Sequence, residues 1–203
     1  MKRIAIAILA MGGCLAATEP QASERSDTQG AALSNVIAKC DGCHGPRGDS
    51  TSTATPRLNG QQAGYIAARL RSLRDPTRQT PHATHAMFST SSNVGDETID
   101  ALAKHYAGQA PTPAQGRGPL AAEGRKLYAN GGGERIPACQ SCHGAAGQGT
   151  ETAPRLAGQH ADYLTDQMDA FVVMNRVNDP MQTHPWFITN RQIKALVSYL
   201  AND

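Results

Sequence analysis

The segment Cys40-Asp41-Gly42-Cys43-His44 recurs in the second half of the chain as Cys139-Gln140-Ser141-Cys142-His143. Two cysteines separated by two residues and followed at once by a histidine form the attachment signature of a c-type heme. The spacing suits this chemistry because the two thiols can reach the two vinyl groups on one edge of the porphyrin. The imidazole of the next residue then lies beneath the iron as its proximal ligand.

Each copy of the motif therefore predicts one covalently bound heme c. The predicted attachment residues and proximal iron ligands are Cys40, Cys43 and His44 for the first heme, and Cys139, Cys142 and His143 for the second. A zinc site made of two cysteine pairs would place them about 15–20 residues apart, and a redox-active pair would sit beside a βαβ pattern. The wide separation and the missing strand pattern favour heme over both alternatives.

Further segments repeat in the same order. The box Pro56-Arg57-Leu58-Asn59-Gly60-Gln61 recurs as Pro154-Arg155-Leu156-Ala157-Gly158-Gln159, and Tyr65 recurs as Tyr163. A repeat of about 98 residues indicates a duplicated domain rather than a solenoid. The predicted organisation is a signal peptide (1–22), an N-terminal heme domain (23–107), a linker rich in proline and glycine (108–118) and a C-terminal heme domain (119–203).

Both domains are predicted to be all-α, with three helices around loops. A helix over Gln29–Lys39 leads into the first motif, and its counterpart over Ala121–Asn130 stops at three glycines. The other two helices of each domain carry apolar stripes at helical spacing, and no period-two run argues for a strand. The stripes are Ile66, Leu70 and Leu73 with Leu164, Met168 and Phe171, then Ile99, Leu102 and Tyr106 with Ile193, Leu196 and Leu200.

The first 22 residues have the pattern of a secretory signal peptide. Lys2 and Arg3 precede an apolar stretch of about 12 residues, which is too short to span a bilayer. Cleavage after Ala17 and cleavage after Ala22 both fit, and Cys14 lies in a segment that resembles a lipoprotein cleavage box. Export predicts a periplasmic protein, with peripheral association with a membrane left open.

A six-coordinate heme iron needs a distal ligand, most often Met or His. Met87 and Met181 are predicted as these ligands because they precede the matching positions Ile99 and Ile193 by the same distance. Met174 is the alternative in the second domain. Met168 lies on an apolar stripe and is expected in the core, while His82, His85 and His184 are expected to be solvated loop residues.

Composition and charge limit the classes of function that this protein can have. Aromatic residues make up only 4% of the chain, beside 20 Gly and 12 Pro, so a prosthetic group would supply the volume that large side chains do not. The formal net charge is +2, and no run of basic residues is present. These features argue against a nucleic-acid partner.

With these residues the chain resembles the diheme cytochrome c4 family, which consists of exported proteins with two class-I-like cytochrome c domains. The resemblance covers nearly all of residues 28–203. It rests on the two heme motifs, the two Pro-Arg-Leu-x-Gly-Gln boxes with the tyrosines that follow them, the closing helices, and the stretch Arg176-Val177-Asn178-Asp179-Pro180-Met181.

The resemblance implies roles for the residues of the boxes. A proline carbonyl in each box would accept a hydrogen bond from the proximal histidine and so fix the tautomer and orientation of its ring. The implied assignments are Pro56 for His44, Pro154 for His143, Leu58 and Leu156 against the hemes, and Arg57 and Arg155 toward the heme propionates or toward solvent.

The predicted function is an electron carrier of a respiratory chain that cycles between Fe(II) and Fe(III) at two His/Met hemes, and it is not an enzyme. The predicted partners are a terminal oxidase or reductase and an upstream cytochrome complex. Two alternatives stay open. One is the heme subunit of a dehydrogenase, such as a flavoprotein that oxidises sulfide, and the other is a diheme peroxidase or a thiosulfate-oxidising cytochrome.

Overall fold

A computed structural model describes residues 22–74, 84–174, 176, 181 and 187–202, with side chains from residue 30 onward except those of residues 84 and 85. The predicted signal peptide lies outside the described residues apart from Ala22. Cys14 and the predicted cleavage site after Ala17 also lie outside them. Among the described residues no helix is long and apolar enough to cross a membrane.

The described part of the chain contains helices and no strands, which confirms the prediction of an all-α fold. The helices of the N-terminal half are α1 (Ala22–His44), α2 (Ala63–Leu73), α3 (Thr84–Ser91) and α4 (Asp96–Ala107). Those of the C-terminal half are α5 (Ala121–Asn130), α6 (Gln140–His143), α7 (Ala161–Val172) and α8 (Asn190–Leu200).

Three features differ from the prediction of three helices per domain. Helix α1 extends beyond Gln29–Lys39 and continues through the first heme motif to His44. In the C-terminal half, α5 ends at Asn130 and is followed by Gly131, whose φ of 74° suits glycine. The second motif therefore begins at Cys139 and continues on the separate helix α6. Helix α3 has no counterpart in the prediction because its sequence lacks an apolar stripe.

The N-terminal core forms where α2 and α4 pack together, with α1 against α4. The predicted stripes supply this core, since Ile66, Ile99 and Leu102 are almost fully buried. Leu33 and Ile37 of α1 lie one turn apart and pack against the same cluster. Burying a side chain of this size stabilises the fold by about 1.5–3 kcal/mol.

The C-terminal core forms where α8 packs against α5 and α7. Its buried side chains are Leu127, Tyr128, Leu164, Ile193, Leu196, Val197 and Leu200. Met168 packs against this cluster, as predicted for a core residue. Thr189 and Gln192 form a capping box that fixes the beginning of α8, because each side chain satisfies a backbone N–H of the first turn.

Residues 110–117 form neither helix nor strand and run along both halves. The side chain of Asn59 donates to the Ala110 carbonyl (2.9 Å), and Arg155 Nη2 donates to the Thr112 carbonyl (3.2 Å). The Gln115 N–H donates to the Ala201 carbonyl at the end of the chain (3.0 Å). The segment between the halves is therefore held by hydrogen bonds on both sides, while the exact domain boundaries stay predictions.

Candidate heme-binding sites

The two predicted proximal histidines are buried and make the same hydrogen bond. His44 Nδ1 lies 2.8 Å from the Pro56 oxygen, and His143 Nδ1 lies 2.8 Å from the Pro154 oxygen. A carbonyl oxygen only accepts, so Nδ1 carries the proton in each ring and Nε2 keeps its lone pair. Burial lowers the pKa of both histidines below the usual value, and the neutral ring that a metal needs is favoured.

None of the four cysteines of the motifs forms a disulfide. Cys43 and Cys142 are exposed, whereas Cys40 and Cys139 are partly buried, and burial raises the pKa of the latter two thiols. Within each motif the helical backbone places the two cysteines three residues apart on one face. Each motif thus presents two thiols and one metal-ready imidazole, and this donor set fits a covalently attached heme c.

A tight loop after each motif brings the proline carbonyl to the histidine. Gly48 and Gly147 have φ values of 76° and 69°, and their carbonyls accept from the N–H groups of Leu58 and Leu156 at 2.8 Å. A Cβ at Gly48 would lie 2.8 Å from the ring of Tyr106, so only glycine lets the loop pack this closely.

A buried tyrosine on a core helix bonds to the first motif in one half and to the loop after the second motif in the other. The Tyr106 hydroxyl on α4 donates to Asp41 Oδ1 at 2.8 Å, and the Tyr128 hydroxyl on α5 donates to the Gly144 carbonyl at 2.6 Å. Both tyrosines are about 1% exposed. Burial, the main cause, raises the pKa of both phenols, which therefore remain protonated donors.

The predicted distal methionines differ in how they are placed. Met87 lies half-buried on α3, and Met181 is also half-buried. The alternative Met174 has a φ of 58° and a side chain that is 51% exposed. His82, His184 and the side chain of His85 lie outside the described residues. Distal ligation by Met87 and Met181 thus stays a prediction.

The arginines of the two boxes contact protein carbonyls at the junction of the halves. Arg57 Nη1 donates to the carbonyls of Gly158 (2.8 Å) and Asn202 (2.9 Å), and Arg57 Nε lies 3.3 Å from Asp49 Oδ1. Arg155 donates to Thr112, as described above. The structure therefore assigns these guanidinium groups contacts that the resemblance did not imply.

The glutamines that close the two boxes bind each other's box reciprocally. Gln159 Oε1 accepts from the Arg57 N–H (2.8 Å) and Gln159 Nε2 donates to the Arg57 carbonyl (3.0 Å). Gln61 makes the same pair of bonds to Arg155, at 2.7 and 2.9 Å. The sequence pattern does not predict this contact, although both boxes end in the same residue, glutamine.

A buried arginine adds a further contact between the halves. Arg176 is only 5% exposed, and its Nη2 donates to the hydroxyl of Tyr65 at 2.8 Å. Its guanidinium also stacks on the Phe171 ring, 4.6 Å from the centroid. Burial opposes its charge, but Tyr65 and Tyr163 outweigh burial, and the pKa of Arg176 lies above the usual value. The repeated tyrosines therefore face the junction.

Comparison with known proteins identifies relatives over the whole described region. A family model described as cytochrome c matches residues 121–202. Cytochrome c4 of Thiocapsa roseopersicina is 35% identical over 189 residues, which cover 90% of this chain and 91% of that protein. A protein of Stutzerimonas stutzeri (strain A1501) named thiosulfate dehydrogenase electron acceptor is 34% identical, with 100% of this chain and 96% of that protein covered.

A solved structure gives the same result. The structure of cytochrome c4 from Acidithiobacillus ferrooxidans matches with a TM-score of 0.74 at 35% identity, covering 80% of this chain and 98% of that chain. The fold and the paired motifs define a c-type cytochrome with two tandem heme domains. Its two hemes are covalently bound, and its role is to carry electrons rather than to catalyse a reaction. The chain belongs to the cytochrome c4 family.

Proposed function

We propose that this chain is an exported carrier in a respiratory chain, with His44 and Met87 ligating one heme iron and His143 and Met181 the other. The observation that carries the proposal is the matched pair of buried histidines, each with its Nδ1–H given to a proline carbonyl and its Nε2 free. The half-buried Met87 and Met181 support it, because their places relative to Ile99 and Ile193 correspond in the two halves.

Each heme supplies a one-electron Fe(III)/Fe(II) couple, and the chain's own residues set the conditions for it. Cys40, Cys43, Cys139 and Cys142 hold the porphyrins covalently. The proline carbonyls keep each imidazole in one tautomer and one orientation. A thioether ligand raises the potential of heme iron, and full coordination excludes small oxidants such as peroxide from the metal. These properties suit transfer of electrons without substrate binding.

Location and partners follow as part of the proposal. The pattern of residues 1–22 supports export to the periplasm through a cleaved signal peptide. A carrier with two His/Met hemes suits delivery of electrons from an upstream cytochrome complex to a terminal oxidase or reductase.

A second candidate function rests on the relatives in sulfur metabolism. Two relatives at 34% identity are named thiosulfate dehydrogenase electron acceptor, from Stutzerimonas stutzeri and Thiomonas intermedia. We infer that a thiosulfate dehydrogenase is a candidate donor for this chain. Purified dehydrogenase with thiosulfate should then reduce both hemes at a rate that rises with dehydrogenase concentration. If the hemes were reduced no faster with the dehydrogenase than without it, this enzyme would be excluded as a donor.

The absorption spectrum of the oxidised protein at long wavelength tests the ligation directly. The weak band from Met to Fe(III), integrated per heme, counts the irons that carry a methionine. Two per chain is the expected result for Met87 and Met181. One or none would contradict methionine ligation of at least one heme iron and would favour the alternative of a diheme peroxidase.

A further inference from the structure

The proximal histidine of each half is connected to the glutamine of the other half through a single peptide group. His44 donates to the carbonyl of Pro56, and the N–H of Arg57 belongs to the same peptide group. That N–H donates to Gln159 Oε1 at 2.8 Å. The other half repeats the arrangement. His143 Nδ1 lies 2.8 Å from the Pro154 oxygen, and the Arg155 N–H of the same peptide group donates to Gln61 Oε1 at 2.7 Å.

Both glutamines are held in one orientation by their remaining bonds. Gln159 Oε1 also accepts from the N–H of His160 (3.0 Å), and Gln61 Oε1 accepts from that of Gln62 (2.9 Å). The amide nitrogens donate to the Arg57 and Arg155 carbonyls, so a flipped amide would place donor against donor. The two side chains are 7% and 8% exposed, and little water screens these bonds.

A peptide group polarises when hydrogen bonds form at both of its ends. An acceptor at the N–H shifts electron density toward the carbonyl oxygen and strengthens that oxygen as an acceptor. A stronger acceptor pulls the Nδ1 proton of the histidine and makes Nε2 a better electron donor to a bound metal. Greater donation from the ligand stabilises the oxidised iron, and so it lowers the reduction potential.

We propose that Gln159 is a positioning residue for the heme bound through His44 and that Gln61 is one for the heme bound through His143. Each glutamine acts across the junction and lowers the potential of the heme in the opposite half. The proposal rests on the proximal half of the proposed function, the ligation by His44 and His143, and does not depend on Met87 or Met181. Docking of the two halves is thereby coupled to both potentials.

The test is Gln159→Met and Gln61→Met in the full-length protein with both hemes. Methionine keeps the length of the side chain and removes the amide acceptor. Redox titration followed by the hyperfine-shifted heme methyl signals reports each heme separately, once the signals are assigned through contacts with side chains of each half. In Gln159→Met the potential of the N-terminal heme should rise, with a change of about threefold in its ratio of oxidised to reduced form, or about 30 mV.

The reciprocal variant is the matched control. Gln61→Met should raise the potential of the C-terminal heme and leave that of the N-terminal heme less affected. The resonance of the histidine Nδ1 proton should move in the same crossed pattern. A shift confined to the heme of the substituted half, equal shifts in both hemes, or no shift in either variant would overturn the proposal.

A second substitution keeps the test usable if the methionine variants fold poorly. Gln159→Glu retains an oxygen acceptor for the Arg57 N–H and makes it stronger, so the N-terminal potential should fall rather than rise. A rise would overturn the proposal. The proposed Met ligation is tested separately, by the long-wavelength band of the unsubstituted protein. Its failure can therefore be told apart from failure of the glutamine proposal.

Discussion

A neutral imidazole with a fixed proton is the smallest unit of function in this protein. In each half a proline carbonyl accepts a hydrogen bond from the Nδ1–H, with 2.8 Å between nitrogen and oxygen, and Nε2 is left for the metal. Proline suits this position because it has no N–H of its own, and its fixed φ limits the directions its carbonyl can take. This hydrogen bond therefore fixes the ring orientation in which Nε2 can ligate the metal.

Single substitutions also test the predicted distal ligands of the two heme irons. Met87→Ala should expose one heme to carbon monoxide, and Met181→Ala should expose the other, because alanine offers no ligand atom. Carbon monoxide binding to the reduced protein, followed by the Soret absorption, should reach one heme per chain in each variant and two in the double variant.

Two other methionines provide the controls for that experiment. Met168 packs against the C-terminal core, and Met174 is 51% exposed. Met168→Leu and Met174→Ala should bind no more carbon monoxide than the unsubstituted protein. If Met174→Ala opened the second heme while Met181→Ala did not, Met174 would replace Met181 as the proposed ligand.

At the scale of helices, α5 packs closely on α8 in the C-terminal half. A Cβ at Gly124 would overlap with the carbonyl oxygen of Ala195. Alanine normally favours a helix over glycine by about 1 kcal/mol, yet Gly124→Ala should destabilise the protein because the two helices must separate. We expect a loss of about 1–3 kcal/mol in the free energy of unfolding, measured with denaturant and circular dichroism.

A glycine with open space on its Cβ side is the matched control. Gly95→Ala introduces a Cβ with no atom within 4 Å, at a φ of −69° that any residue adopts. It should change the free energy of unfolding far less than Gly124→Ala. Equal losses in the two variants would mean that the approach of α5 to α8 does not limit stability.

The helices differ in how far their sequence predicts them. The stripes of α2, α4, α7 and α8 repeat at helical spacing, and the core clusters contain most of their residues. Helix α3 could not be predicted this way, since neighbouring parts of the fold rather than its own apolar face fix it. The motif cysteines and histidines were predictable because attachment chemistry fixes their spacing. The contacts of Gln61 and Gln159 were not predictable, because a pairing between segments distant in sequence produces no periodic pattern of residues.

On the scale of the whole molecule, the duplicated boxes meet each other. The bonds of Gln61 to Arg155 and of Gln159 to Arg57 have the same pattern in both directions. A surface that pairs with its own copy satisfies both partners through one motif, as isologous dimers do. The duplicated boxes thus form the interface between the two halves, and residues 110–117 connect the halves across it.

Arg57 is expected to be the side chain on which this junction depends most. Arg57→Ala removes two charge-assisted bonds to the Gly158 and Asn202 carbonyls, which would lose their buried donor. The free energy of unfolding should fall by about 2–3 kcal/mol. Arg71→Ala is the control, because Arg71 pairs with Asp96 and Asp100 at the surface and should contribute little. Similar losses in both variants would argue against a special role for Arg57.

The close contact between Gly158 and the connecting segment gives the last prediction. Gly158 has a φ of 80°, and a Cβ there would overlap with the Thr112 carbonyl oxygen. Gly133 has a φ of 98° and no atom within 4 Å of a Cβ, so Gly133→Ala measures the conformational strain alone, about 1 kcal/mol. Gly158→Ala should cost at least twice as much in denaturant unfolding, because it also displaces residues 110–117 from the junction. Equal losses would show that this segment yields freely and that the reciprocal glutamine bonds hold the halves without it.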